Sequence, residues 1–581
     1  MFTNTQRIEE ISINLLSEFT FDENERILYW LNLKNDTADL HRLTNFEIRI
    51  KRRFKLVGLN DCSDMITLIL HGWKDLEITI PLSELSSLMK YIEKNYPEYR
   101  LYPELWNRKD LFKQYVSEVY EKTVNNYPEE TVYQNAGWNL NSTSQYHYYS
   151  ANDSEYCLSQ FRLSNNLCFL SGDLISWAMG LLNMGADEVM IPLLLHAHLG
   201  YTLHLFEKAG YQEQYILALI GSSGSKKTSV ARIMFSLFGD ALINFTSTDR
   251  AIELSLMQRQ DSTLILDDLT SGNNKDLVGK FERILRQLGD STGRRKTVNS
   301  GTEQENVRTR CAVVLTAETD IDSLSKSSKL RTLALPVNVN SFNSEVLMMY
   351  QKDAENAKML GTYSKLEQYM TFYIDHLTRN YQEILNFVCQ NKFTIQPNDL
   401  KFARQATIFK MLKTQAIILL DFWMRCNMTR PEKIILVANR FLNAISRILM
   451  INEQRCMEFE PYILFLKAIS ELLASDGLVA SDKNDFMLEN RYGYWLNGNV
   501  VLKSEQIYNY VCNYYSRQGK VFPESLQGIL DKLYSLNLLE VYEQKDHKPK
   551  LLKQVRIHGV SQNVICLKWF MVEHLLTQIA W

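Results

Sequence analysis

The sequence predicts a multidomain α/β chain: a P-loop core, with a β-rich module before it and a helical region and a C-terminal winged helix after it. Three observations carry that prediction. The apolar run Ile216 to Ile220 reads as a buried strand, leads into Gly221-Ser222-Ser223-Gly224-Ser225-Lys226-Lys227-Thr228-Ser229, and opens an amphipathic helix. Downstream, the apolar run Leu264 to Leu266 ends in two adjacent carboxylates, Asp267 and Asp268. The last stretch reads as helix, turn, helix and hairpin. The chain then divides into a β-rich N-terminal module (1–145), the P-loop core (146–340), a helical lid and linker region (341–500) and a winged-helix domain (501–581).

Bulk properties set limits. A chain of 581 residues exceeds one core and implies roughly three or four domains. A formal net charge of −3 excludes a uniformly basic coat but leaves room for local basic patches. Nine cysteines without a C-x-x-C pair give neither a zinc ribbon nor a disulfide framework, and read as reduced, mostly buried thiols. The polar N-terminus lacks an apolar leader, and no uncharged apolar run reaches the ~18 residues of a membrane span. A soluble cytoplasmic protein without a membrane partner is expected.

In the N-terminal module, Phe46 to Arg52, Met65 to Leu70 and Glu77 to Leu82 alternate apolar and polar residues as half-buried strands do. Ser83 to Asn95 reads as a helix with Leu85, Leu88, Met89 and Ile92 on one face. The basic run Arg49, Lys51, Arg52, Arg53 and Lys55 fits either a solvated strand edge or a nucleic-acid contact. In the core, Met190 to Ala209 reads as an apolar helix. Its His196, His198 and His204 lack the glutamate of an H-E-x-x-H site, so they read as core or interface residues.

The loop carries the chemistry. Backbone N–H groups at a glycine turn and a helix N-terminus suit phosphate oxygens, because unpaired donors and the helix dipole point there. Lys227 is placed to reach the β- and γ-phosphates, and the Thr228 hydroxyl to hold Mg²⁺, so ATP with Mg²⁺ is the expected ligand pair. The glycine usual before the lysine is Lys226. Asp267 suits the Mg²⁺ shell and Asp268 the polarisation of the attacking water. Val230, Ile233, Met234, Leu237 and Phe238 give the following helix its apolar face, and Gly239 ends it.

A further apolar strand, Cys311 to Ala317, holds Thr316, either a γ-phosphate sensor or a plain strand-terminal threonine. Arg331 enters the next strand, as an arginine finger acting on a neighbouring subunit or as a surface arginine on a carboxylate. Arg294, Arg295 and Lys296 sit at a turn, where they suit a DNA-contacting hairpin or a solvated loop. Beyond Pro336 the stretches 366–386, 407–424 and 438–450 repeat apolar residues at helical spacing. The C-terminal helices are read over Ser504 to Gln518 and Pro523 to Leu536. A hairpin over Leu538 to Ile557 and a last strand, Asn563 to Trp569, follow. Lys545, Lys548, Lys550, Lys553 and Arg556 against one Asp546 give that wing a basic face for DNA or a protein partner.

The ATPase region resembles the AAA+ proteins of mobile genetic elements and phages, the minichromosome-maintenance-like helicases that include the cassette chromosome helicases and phage primase–helicase C-terminal domains. The resemblance rests on Gly221 to Ser229, on Leu264-Ile-Leu-Asp-Asp268, and on Val314-Leu-Thr-Ala-Glu318 followed by Leu330-Arg-Thr-Leu-Ala-Leu-Pro336. Tyr133-Gln-Asn-Ala-Gly-Trp138 and Gln554-Val-Arg-Ile-His-Gly559 are similar to that family too. It implies an AAA+ core in a hexameric ring that translocates on single-stranded or forked DNA at the expense of ATP. Two positions depart from the family's pattern: Lys226 for glycine and Asp268 for the commoner glutamate. The alternative is a nucleotide-gated DNA-binding initiator or defence regulator with little turnover.

Overall fold

The computed structural model describes residues 18–34, 37–58, 62–127, 130–141, 143–150, 163, 171–212, 214–235, 241–269, 275–289, 309–318, 325–394, 400–426, 431–475, 477–488, 491–518, 522–544, 547–557 and 560–579.

In the N-terminal module a three-stranded antiparallel meander (Phe19–Asp22, Ile27–Lys34, Thr37–Thr44) adjoins a four-stranded sheet. The sheet runs Asp75–Pro81, Cys62–His71, Glu47–Val57, Glu130–Tyr133, with only the last pair parallel. Its inward residues, among them Ile48, Ile66 and Ile78, pack with Ile92, Phe112 and Tyr115 of helices Leu88–Asn95 and Lys109–Thr123. The helix expected from Ser83 is split: Leu82–Ser87 is a 3₁₀ turn, and the α-helix starts at Leu88, where the apolar stripe Leu88, Met89, Ile92 begins to be buried. Two residues of the basic run are tied to carboxylates. Arg49 bonds Glu47 and, at 2.8 Å, Glu23; Lys51 bonds Glu77 at 2.6 Å. Arg52 lies over the Phe54 ring at 4.8 Å.

The core is a five-stranded, fully parallel sheet in the order Leu242–Asn244, Ser262–Leu269, Cys311–Ala317, Ile216–Ile220, Thr332–Pro336. The strands read as continuous apolar runs because both faces are covered. Leu217 and Leu219 pack on one side, Ile216 and Ala218 on the other. On the first side lies helix Asp187–Lys208, buried at every position from Val189 to Phe206. Helices Ser344–Met359, Lys365–Arg379, Tyr381–Thr394, Ala403–Arg425 and Pro431–Met457 contribute to the same apolar cluster, so most of 341–457 packs as part of this core. The hairpin Gly137–Leu140 and Tyr146–Tyr149 also joins it through Trp138 and Tyr148, across the division drawn at 145.

Helix Asp187–Lys208 and the stretch Ile434–Met457 are long and apolar enough, by length and composition, to cross a membrane; the first is wholly buried in the protein and the second partly.

A second cluster unites helix Pro461–Ala474 with the C-terminal elements, so that unit starts near 461 where the sequence reading placed 501. Helices Ser504–Arg517 and Leu526–Ser535 lie against a sheet ordered Val479–Ala480, Gly493–Leu496, Asn499–Lys503, Val560–Leu567, Lys553–Ile557. Lys553–Ile557 pairs with Val560–Leu567, while the upstream segment forms its own small hairpin, Tyr542–Gln544 with His547–Lys550. The last strand ends at Leu567 and a helix, Trp569–Ile579, follows, where the sequence predicts a strand through Trp569. Its Trp569, Val572 and Ile579 are buried, a helical spacing that the continuous apolar run Val564 to Leu567 before it obscures in the sequence.

Candidate nucleotide-binding site

The loop leaves the sheet at the C-terminal end of the strand Ile216–Ile220 and enters helix Lys227–Phe235. Gly221 is required by packing: a Cβ there would lie 2.0 Å from the Val337 carbonyl oxygen. Gly224 has φ +79°. Lys226 has φ +62°, the left-handed conformation that glycine normally supplies, so the backbone keeps the glycine shape at a strain of roughly 1 kcal/mol. Its ammonium reaches the Ser344 hydroxyl at the start of helix Ser344–Met359. Ser222, Ser223 and Gly224 are exposed, and the Ser225 hydroxyl donates to the Ser222 carbonyl at 2.7 Å.

Lys227 is buried and folded into the loop. Its ammonium donates to the carbonyls of Gly221 (2.7 Å) and Ser222 (2.8 Å) and to Ser225 Oγ (3.2 Å). Burial pushes its pKa down, and the negative charges of Glu318, Asp267 and Asp268, in that order, pull it back up. Neutral carbonyls are poor partners for a buried cation, so an anion entering the loop would compete for it.

Three elements meet at Asp267. Thr228 Oγ1, on the first turn of the helix, donates to Asp267 Oδ1 at 2.7 Å. Thr316 Oγ1, on the neighbouring strand, donates to the same oxygen at 2.6 Å and accepts the Asp268 N–H at 3.0 Å. Asp267 and Asp268 together oppose Thr316 in a bulge, and Asp268 has φ +65° with its side chain exposed. The bulge turns the second carboxylate away from the strand direction. A hydroxyl and a carboxylate oxygen in contact beside a phosphate-type loop are the hard donors that suit Mg²⁺. Ser229 is half-buried on the same helical turn.

The other candidates lie elsewhere. Ile216 pairs with Thr332, so Arg331 precedes its strand at the N-terminal edge of the sheet, the edge opposite the loop. It is only 7% exposed, and its Nη1 donates to the Ser327 carbonyl at 3.3 Å and to the Ser327 hydroxyl. Lys548 and Lys550 fall on the strand His547–Lys550, and Lys553 opens Lys553–Ile557 in the C-terminal unit. Arg294, Arg295 and Lys296 lie outside the described residues. His196, His198 and His204 are core residues: each is buried, which holds its pKa down at about 4. His196 bonds the Val313 carbonyl, and His198 bonds the Leu194 carbonyl and the Tyr369 hydroxyl.

Glu318 also stands at the site, a residue that the sequence motif Val314–Glu318 contains without marking it for a role. Glu318 follows Thr316 by two, so strand alternation was the signal that would have found it.

Comparisons with known proteins bear on the fold. A family model described as a domain of unknown function, DUF927, matches residues 104–308, which include the loop and the paired carboxylates. No curated protein matches the chain. Among solved structures, one described as SCCmec type IV Cch, an active helicase, is similar over 96% of this chain and 99% of its own, at 12% identity and a TM-score of 0.60. Identity that low shows a shared fold alone. The apo A form of the NrS-1 C-terminal region (10% identity, 89% of this chain and 96% of that one) has a TM-score of 0.30. A JCV helicase (12%, 48% and 74%) has one of 0.22. The chain is a mixed α/β multidomain protein with a parallel core sheet and the overall fold of a helicase structure.

Proposed function

We propose that this chain binds ATP with Mg²⁺ at Gly221–Ser229 and uses its hydrolysis to move on DNA, as an AAA+ helicase or translocase ring in the replication of a mobile genetic element or phage. The observation that carries the reading is the convergence of Thr228 and Thr316 on one oxygen of Asp267, beside the buried Lys227. It joins the loop, the carboxylate strand and the strand between them into one polar centre. The sheet order supports the same reading, because the Thr316 strand lies between the other two.

In this reading Lys227 leaves the loop carbonyls for the β- and γ-phosphates, and the exposed loop N–H groups hold the phosphate chain. Thr228 and Asp267 hold Mg²⁺, which when bound neutralises charge on the phosphate oxygens. Thr316 keeps Asp267 and the Asp268 backbone in register, so its hydroxyl couples the carboxylates to the strand beside the loop. Arg331 serves a neighbouring subunit only after its guanidinium leaves Ser327. Helices Ser504–Arg517 and Leu526–Ser535 and the strands after them act as a winged helix, whose Lys548 and Lys550 on the small hairpin and Lys553 on the next strand pair meet DNA phosphates, with Arg294, Arg295 and Lys296 meeting DNA in the channel of a hexamer.

The test is ATP turnover with and without single-stranded DNA, beside sizing with a non-hydrolysable nucleotide. Turnover is expected to rise with DNA, and Lys227→Ala to abolish it. Turnover unaffected by Lys227→Ala sinks the assignment. The second reading, a nucleotide-gated initiator or regulator with little turnover, is favoured by one observation: Asp268 is exposed and turned out at the bulge. It predicts DNA binding that survives Asp268→Asn.

A further inference from the structure

Glu318 is held between two parts of the site. Its N–H donates to the Leu269 carbonyl at 3.2 Å, and the carbonyl of Ala317 before it accepts the Gly221 N–H at 3.0 Å. Its backbone is thereby pinned to the loop on one side and to the end of the carboxylate strand on the other. Alternation along the strand places Val314, Thr316 and Glu318 on one face. The core agrees: Val314 packs in the cluster that holds helix Lys227–Phe235, whereas Val313 and Leu315 pack in the other. Glu318 therefore stands on the face where Thr228, Asp267 and Thr316 meet.

Its side chain is half-buried, and among the described residues its carboxylate has no hydrogen bond or ion pair. A partly desolvated carboxylate without a donor is costly unless a donor arrives with the ligand. Of the carboxylates acting on Lys227, it exerts the strongest pull. Asp268, the residue that motif spacing nominates for this role, is exposed and sits at positive φ in the bulge.

We propose that Glu318 is the carboxylate that polarises the attacking water in hydrolysis of a nucleoside triphosphate. This rests on the nucleotide-binding reading of the loop. The water oxygen bonds to the γ-phosphorus as the bond from that phosphorus to the β–γ bridging oxygen breaks, and its electron pair leaves with the diphosphate. The water proton passes to the Glu318 carboxylate and on to solvent, so the products are nucleoside diphosphate and inorganic phosphate.

Glu318→Gln keeps the side chain's size and removes the accepting charge. In the full-length chain, kcat for ATP is expected to fall about 100-fold or more, while the Kd for a non-hydrolysable ATP analogue changes by less than about threefold. Asp268→Asn is expected to lose less. Glu318→Asp, which keeps the charge but withdraws it by one methylene, is expected to fall between wild type and the Gln variant. A Gln variant that turns over within threefold of wild type overturns the proposal. So does one that loses analogue binding along with turnover, since that marks a structural role, or an Asp268→Asn loss that exceeds it. A wild type that binds nucleotide without ever hydrolysing it, with or without single-stranded DNA, overturns the role of Glu318 and leaves the loop reading standing. A wild type that binds no nucleotide overturns the loop reading itself.

Discussion

The two edges of the core sheet hold polar clusters of opposite character. At the N-terminal edge Asp261 is fully buried at φ +52°, and each of its groups has a partner. Arg310 grips it from two nitrogens at 2.7 and 3.0 Å and reaches Glu207 at 3.1 Å. The Trp138 N–H donates to its carboxylate at 3.1 Å, and the Tyr148 hydroxyl to its carbonyl at 2.8 Å. At the C-terminal edge Lys226 and Asp268 share the left-handed backbone, yet Asp268 is exposed, the Glu318 carboxylate has no hydrogen bond among the described residues, and Lys227 rests on carbonyls. Strain alone does not mark a functional site. Strain beside incompletely satisfied charge does.

The contrast is most sharply broken at Asp261. Asp261→Ala leaves Arg310 with half its carboxylate partners in a buried setting, and a loss of about 3–5 kcal/mol in chemical denaturation is expected. A loss below about 1 kcal/mol would place that edge in the same class as the loop.

The N-terminal edge also holds His204, whose ring packs 4.9 Å from that of Tyr146 and 6.4 Å from that of Trp138. Burial holds its pKa at about 4, below the usual 6.5. The folded state thus takes up its proton later than the unfolded state does. The stability from the neutral ring is complete above pH 6.5 and lost as pH falls towards 4, about 2 kcal/mol of it by pH 5. Denaturation at pH 7 and pH 5 should show that difference shrinking in His204→Phe; an unchanged pH dependence removes His204 from the account.

The smallest effect belongs to the loop. Lys226→Gly relieves a left-handed lysine but frees the unfolded chain, so stability should rise by up to about 1 kcal/mol. Asp261→Gly, which relieves a similar φ, should instead destabilise the protein. Opposite signs in thermal unfolding would confirm that the two strained edges serve different ends, and like signs would erase the distinction.

Much of the site was legible because its parts are local. A buried parallel strand reads as an apolar run, and a glycine turn before an amphipathic helix is recognisable within a dozen positions around Gly221. Glu318 was only half legible: alternation from Thr316 points to its face, but the strand's continuation past Ala317 is set by the Ala317 bond to Gly221 and the Glu318 bond to Leu269, partners remote in sequence. The Asp261–Arg310 pair is 49 positions apart, so nothing in spacing links the two. The final helix was hidden for another reason: Val564 to Leu567 is an unbroken apolar run that reads as a buried strand, and the aromatic Trp569 extends that impression although it begins a helix.

By itself the chain determined the strand–loop–helix, the paired carboxylates and the order of its units, because those follow from short-range periodicity and turn chemistry. Only the tertiary structure decided which groups meet. It brought Thr228 and Thr316 onto one oxygen of Asp267, turned Asp268 outward at a bulge, set Glu318 facing the loop and put Arg331 at the far edge. Those outcomes depend on strand order and register, and a parallel sheet assembles both from segments too far apart in sequence for any local pattern to record.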